Sequence, residues 1–349
     1  MLSRIVIISM LTSLCGTVHA HKINPLQDKY KQDSRAITRG ISEPVHEEIT
    51  QLARACQQAH PGPVASPLVC TDRTVRIKTP EGNKYDSLVR GVWWNDDPNQ
   101  LLFTKPWKWL AWMDDAENIA RSNRNWKGRA ATIDASYYLT YRSHYGDLQF
   151  IHSMASANGE PARRTQQNIL AWAEFTYAAA TGSLDMETTI NTAAPQQLQP
   201  YFSQQSGWTT NYLFAPRYRL KTADHNRLMA AGSLLHMVQD SYSAAHTRRA
   251  YDASPSCLAG RVVQFHSYID QDPKKHATAD RRQAWADHTF TAQQDPVNVS
   301  ATLLAYIAQR APWETVEAYL RDTVFCVDES AEDAGAGEYL VVSAEGAVP

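Results

Sequence analysis

After residue 20 the chain has no continuous apolar run of the roughly 18 residues that a membrane-spanning helix needs, which excludes an integral membrane segment. It has no excess of either charge. Lys and Arg number 34 against 36 Asp and Glu, mixed along the chain, and the net charge of −2 leaves no global basic footprint for nucleic acid. It lacks the closely spaced cysteine pairs of a zinc–thiolate site. Strand-like alternation is scarce, with "RTVRIKT" near residue 75 the clearest case. There is no internal repeat and no long low-complexity linker.

What is present is a 349-residue chain, 43% hydrophobic and 20% charged, with enough apolar material for a sizeable core. Its start, "MLSRIVIISMLTSLCGTVHA", carries Arg4, an apolar stretch from Ile5, and Val18-His19-Ala20 with a small residue at the cut position. That is the pattern of a secretory signal over residues 1–20, and cleavage after Ala20 makes His21 the mature terminus. The mature protein is expected to be exported and soluble. Loss of Cys15 with the signal leaves Cys56, Cys70, Cys257 and Cys326, an even set suited to two disulfides in an oxidising compartment. Three pairings are open; proximity in sequence favours Cys56–Cys70 and Cys257–Cys326.

The strongest periodic segments are helical. "SEPVHEEITQLARACQQA" offers Ser42 as a cap and Ile49, Leu52 and Ala53 as its apolar positions. "RRTQQNILAWAEFTYAAATG" runs from Thr165 to a stop at Gly182, with Ile169, Leu170, Ala173 and Tyr177 on one face. "TADHNRLMAAGSLLHMVQDSYSAAH" places Leu228, Ala231, Leu235 and Val238 together. "DPKKHATADRRQAWADHTF" opens on Asp272-Pro273, a helix-start signal. "NVSATLLAYIAQRAPWETVEAYLRDTVF" gives one or two more helices, interrupted near Pro312. The segment from Asp96 to Tyr145 fits no clear pattern. The tail from 328 to 349, acidic and Gly/Ala-rich, is expected to begin as a mobile segment. The simplest reading is one mostly α domain over 21–327, a multi-helix bundle with a Trp-rich insertion near 100–140.

Histidine beside acid at helical spacing is the chemically informative pattern. His236 and Asp240 sit one turn apart in "LLHMVQDSYSAAH", and His246 follows. His276 with Asp280, and His266 with Asp270, repeat the spacing. His46 lies in the first helix, Asp96 in "GVWWNDDP" and His152 in "LQFIHSMAS". A lone half-buried histidine is more often a satisfied structural residue than a ligand. Repetition shifts that balance, because imidazole and carboxylate are the ligands zinc takes when thiols are tied up in disulfides.

The motif His236-x-x-x-Asp240-x-x-x-x-x-His246 resembles the central zinc motif of the zinc-dependent phospholipases C and of the single-strand-specific nucleases that share their fold. The order of the flanking motifs is similar too: an early His-Glu helix, a Trp-x-Asp, a lone His, the central motif, then His-x-x-x-Asp. The resemblance covers about residues 42 to 290 and implies two or three zinc ions. Asp96, His152, His236 and Asp240 would hold the first, and His246, His276 and Asp280 the second. His46 and a bridging Asp240 would hold the third, completed in that family by the mature first residue. Asp96 would also be the general base that orients the attacking water.

Three departures qualify the match. The terminus His21 lies 25 residues before His46, where the family usually has a Trp close to its first His. The interval from Asp96 to His152 is 56 residues and demands an insertion, with His144 as the substitute ligand. The His266/Asp270 pair competes with His276/Asp280; Pro273 favours the latter, which its helix runs through.

The function implied is a secreted phospholipase C that cleaves the glycerol–phosphate ester of phosphatidylcholine- or phosphatidylethanolamine-type lipids at a membrane surface. The alternative is a secreted single-strand-specific nuclease, with nucleic acid as partner; "QDSYSAAH" looks closer to the lipase branch. A third reading keeps zinc as a structural staple in a surface-binding protein. The cluster Trp93, Trp94, Trp107, Trp109 and Trp112 reads first as packing and second as a lipid or base platform. Arg248 and Arg249 read as a solvated pair before a phosphate clamp, and "NVS" at Asn298 carries little weight.

Overall fold

The computed structural model describes residues 43–64, 66–73, 86–102, 105–216, 222–286 and 288–341. The proposed leader, Ser42, His21 and most of the "RTVRIKT" segment lie outside these residues. Within them the chain is mostly helical: α1 Val45–Ala59, α2 Ser87–Val92, α3 Pro106–Ser122, α4 Leu139–Tyr145, α5 Ala162–Thr181, and the short α6 Ile190–Ala193 and α7 Thr210–Phe214. After these come α8 Ala223–Asp240, α9 Pro273–Ala279, α10 Arg282–Ala286, α11 Pro296–Gln309 and α12 Trp313–Tyr319. Three short strands, β1 Thr247–Ala250, β2 Arg261–His266 and β3 Glu332–Gly335, form one sheet in that order.

Helix α8 is the axis of the molecule. Every residue from Met229 to Asp240 is buried, so these turns are enclosed on all sides, the polar Ser233, His236, Gln239 and Asp240 included. Its start is set by Thr222, whose side chain accepts from the His225 N–H. Leu228, expected on the buried face, is exposed because it lies in the first turns before the helix enters the core. Helix α5 packs along α8 through Ile169, Trp172, Ala173 and Phe175, and Trp172 stacks on Trp94 at 5.5 Å. Gly182, in the left-handed conformation at φ 75°, stops α5 where the sequence signal placed it.

α2 and α8 meet backbone to backbone. A Cβ on Gly232 would lie 2.3 Å from the Leu88 carbonyl oxygen, and one on Gly91 2.3 Å from that of Met229. Only glycine permits this approach. α1 buries Val45, Ile49, Leu52 and Ala53 against Val297, Ala301 and Ala305 of α11. The Cys56–Cys70 disulfide ties its end to a segment whose Leu68 and Cys70 N–H groups donate to Thr302 and Asn298 of α11, each at 2.9 Å.

The second disulfide, Cys257–Cys326, links the β1–β2 loop to the chain leading into β3. β1 and β2 are antiparallel, and β3 runs parallel to β2. The start of the tail, expected to be mobile, therefore supplies a strand. It also closes on the body of the protein, where Gly159 donates to the Ala334 carbonyl at 2.7 Å. The single helix expected from Asp272 breaks after Ala279 into α9 and α10. No helix among the described residues is long and apolar enough to cross a membrane.

Candidate metal centre

Asp240 ends α8 and sits against three imidazoles. Its Oδ2 is 2.7 Å from His152 Nδ1 and 2.9 Å from His236 Nε2, and its Oδ1 is 3.2 Å from His46 Nε2. These rings come from a 3-10 turn, from α8 itself and from α1. The two oxygens thus face two different sets of ligands, the arrangement a bridging carboxylate needs. Three groups of buried residues could hold a metal ion: His46, His236 and Asp240; Asp96, His152 and His236; His246, His276 and Asp280. Within each group the candidate ligand atoms all lie within 4.8 Å of one another.

The surrounding hydrogen bonds fix which ring nitrogen faces inward. His236 Nδ1 is 2.6 Å from the Val92 carbonyl, and His246 Nδ1 is 2.7 Å from that of His152. A carbonyl only accepts, so each Nδ1 carries the proton and each Nε2 turns a lone pair to the centre. His144 Nδ1 faces the Thr140 carbonyl at 3.1 Å, and His46 Nδ1 the Gln239 amide oxygen at 2.7 Å. Gln239 is itself braced by Thr50 and Ser300. His152 is reversed: its Nε2 faces the Asn95 carbonyl at 3.1 Å, so Nδ1 points inward. Ligand rings oriented by outer hydrogen bonds in this way are a recurring feature of metal sites.

The consequence is a centre crowded with inward acceptor atoms. His152 Nδ1 and His236 Nε2 stand 3.0 Å apart, both with lone pairs, beside a carboxylate oxygen. A proton could sit between them only by making an imidazolium. Burial opposes that, holding both pKa values below the usual imidazole range, far below for His152. Both Asp96 oxygens and the Nε2 atoms of His144, His246 and His276 are buried and make no hydrogen bond. Buried polar groups of this kind cost about 1–3 kcal/mol each when left unmet. A cation meets several at once.

The acids differ. Burial alone would raise Asp96, but His236 and His144 beside it hold its carboxyl below the usual value, so it is ionised at neutral pH. Burial pushes Asp240 well above it. His246 and His276 are brought down to about 3 by burial, so both are neutral, ligand-competent imidazoles at pH 7.

Compared with the sequence reading, Asp96, His152, His236 and Asp240 do meet, and His246, His276 and Asp280 form a group of their own. His46 reaches Asp240, joined by His236. His266 and Asp270 do not: the segment is a strand to His266, not a helix, so the two share no face. His266 is held by the Ala245 carbonyl at 3.1 Å and belongs to no group; Asp270 is exposed and bonded to Asn158. His144 joins no group either, but its Nε2 lies 3.6 Å from Asp96 Oδ1, so it stands beside His152 and not in its place. Arg249 is buried, donating to Ser241, Gln294 and the Val324 carbonyl, while Arg248 pairs with Glu332 at 2.5 Å. Arg249 is therefore not solvated, whereas Arg248 is exposed in a surface pair. A cleft of about 510 Å³ beside the sheet is lined by Thr247, Arg248, Tyr251, His266 and Glu332, and by none of the grouped residues.

Sequence reasoning missed Tyr268. Its ring stacks on His276 at 4.6 Å and lies 5.8 Å from His246, and its hydroxyl is buried without a hydrogen bond. No spacing marks it, because it reaches the centre from the turn after β2. Compared with protein-family models, curated proteins and solved structures, the chain matches none.

Proposed function

We propose that the chain is a secreted zinc-dependent phospholipase C, hydrolysing the glycerol–phosphate ester of phospholipids, on a helical scaffold of the kind its central motif resembles. The observation that carries this reading is the set of buried, inward imidazole and carboxyl atoms in three adjoining groups, far more than a single structural ion requires. Donors that are all nitrogen and oxygen suit zinc once the cysteines are paired. Two disulfides also fit an exported protein.

Asp96, His152 and His236 would hold one ion, and His246, His276 and Asp280 another. His236 has one inward nitrogen, which serves one ion, so His46 and Asp240 would need a further donor to hold a third. Bound zinc would lower the pKa of a coordinated water and neutralise charge on phosphoryl oxygens. Asp96, ionised, would give one oxygen to the ion and with the other accept a hydrogen bond from the attacking water and orient it. The Tyr268 hydroxyl, which burial keeps protonated, donates to a phosphoryl oxygen. Ser243 fixes the Asp280 carboxylate from behind, at 2.5 Å.

The test is a metal count on purified full-length protein, with assays on phosphatidylcholine, phosphatidylethanolamine and single-stranded DNA. Two or three zinc ions per chain with lipid turnover are expected. Turnover of DNA alone would move the assignment to the nuclease; no bound metal would end the proposal.

A further inference from the structure

The metal chemistry leaves one feature of the surface without a use. Of the tryptophans among the described residues, Trp107 and Trp126 are the two that stand exposed, at 68% and 73%. An exposed indole forgoes about 1.5–3 kcal/mol of burial, and here two stand on one helix and the loop that follows it. Trp107 lies in the first turn of α3. Trp126 lies in the loop after that helix, where its N–H donates to Asp115 at 2.6 Å. At 1.5 Å rise per residue, Trp107 and the turn that carries Asp115 are about 12 Å apart along the axis. Trp112, between them, stacks on the exposed Tyr138 at 4.1 Å.

This aromatic face is framed by cations. Residues 105–129 carry six basic side chains, Lys105, Lys108, Arg121, Arg124, Lys127 and Arg129, against the three acids Asp114, Asp115 and Glu117, in a chain whose net charge is −2. Asp115 is buried, and the Glu117–Arg121 pair cancels one charge of each sign, so the face keeps its positive excess. Lys108 and Lys127 lie over the Trp112 and Trp126 rings at 4.6 and 4.8 Å. Amphipathic rings flanked by lysines suit the headgroup layer of a bilayer, and the positive charge is complementary to anionic lipid.

The inner side of the same helix touches the metal centre: buried Trp109 donates to the Asp96 carbonyl at 3.2 Å. We propose that the outer face of α3 and the 123–131 loop form a docking surface for anionic phospholipid bilayers, which sets the helix covering Asp96 against the lipid. The assignment rests on the phospholipase reading for its purpose. Nucleic acid is the weaker occupant, because the rings project from the outside of one helix and its loop, and a strand-binding protein tracks the backbone in a groove.

The test separates docking from catalysis. Full-length protein, stripped of metal with chelator, is floated with vesicles of phosphatidylcholine alone or of phosphatidylcholine and phosphatidylserine in equal parts. Wild type is expected to bind the anionic vesicles, with a blue shift in tryptophan emission. The W107A/W126A variant should bind at least about tenfold more weakly with an unchanged melting temperature, since both rings are exposed. Lys108→Gln and Lys127→Gln should each cost about fivefold on anionic vesicles and little on neutral ones. Equal binding by wild type and W107A/W126A, or no binding by wild type, overturns the proposal. So does retention of a single-stranded oligonucleotide that competes with vesicles. Hydrolysis of a short-chain monomeric phospholipid should survive in W107A/W126A. If no form of the protein hydrolyses it, the enzymatic reading fails while the docking result stands.

Discussion

Tyr268 shows how much a single unmet atom can say. Its ring packs against His144, His246 and His276, its hydroxyl is shut away from water, and burial pushes its pKa well above the usual phenol value, so it remains a donor. A buried donor without an acceptor is a cost to the fold of about 1–3 kcal/mol, which a bound phosphoryl group would recover. Replacing Tyr268 by Phe should therefore leave the metal content unchanged and the melting temperature the same or slightly higher. The turnover number should fall about 10²-fold, the effect of losing one donor to a developing negative charge. Wild-type turnover in Y268F would show that the hydroxyl faces nothing in the reaction.

At the level of elements, the metal centre depends on how closely α2 and α8 approach. Gly91 and Gly232 let the two backbones touch, and that contact brings the Val92 carbonyl to His236 Nδ1. The chain leaving α2 is then pinned by Asn95, which donates to the Ile151 carbonyl at 2.7 Å and accepts from Ser233 at 2.6 Å, and Asp96 follows. Gly232→Ala puts a methyl group 2.3 Å from the Leu88 carbonyl oxygen, a collision with backbone that no rotamer relieves. The variant should lose about 1–3 kcal/mol of stability, read as a lower denaturation midpoint. It should also retain less metal after dialysis, because His236 and Asp96 are no longer held in register. A fully metallated variant of normal stability would mean that the helices part without consequence. Sequence periodicity found α1, α5, α8 and α11 because each carries an apolar repeat. It did not find α3, whose Trp and Asp residues obscure the stripe that Trp109, Met113, Ala116 and Ile119 bury.

The whole molecule folds around a centre that stores an acid sensitivity. In the metal-free protein His152, His236, His246 and His276 all have pKa values depressed by burial, with His246 and His276 near 3. The unfolded chain takes up those protons near pH 6.5, and the folded protein does not until far lower. Stability is therefore full above about pH 6.5 and falls as pH drops toward 3. Asp240, raised in the folded state, works the other way, one group against four. Thermal melts of the chelated protein should show a melting temperature that declines steadily from pH 7 to pH 5, and a flat or rising profile would contradict the neutral, buried imidazoles. Near neutral pH, restoring zinc should raise the melting temperature, since an ion that binds only the folded chain stabilises it.

By itself the sequence determined the residue types and their local spacing: His236 and Asp240 on one helix turn, and His276 and Asp280 on another. The histidine–acid pairs are near-neighbour relations fixed by the helix rise; the disulfide pairing was only favoured by proximity, and for Cys257 and Cys326, 69 residues apart, the fold decided it. What only the tertiary structure decided was which of the distant candidates converge. His266 competed with His276, which Pro273 favoured, and the structure shows why: a strand, not a helix, ends at His266, and Asp270 lies exposed in the turn that follows. His144 and His152, offered as alternatives, both stand near Asp96, since the turn after α4 returns the chain to the same place. Tyr268, the path of the tail into β3, and the exposed face of α3 also belong to this class. Packing between segments far apart in the chain set them, and no local pattern records where such segments meet.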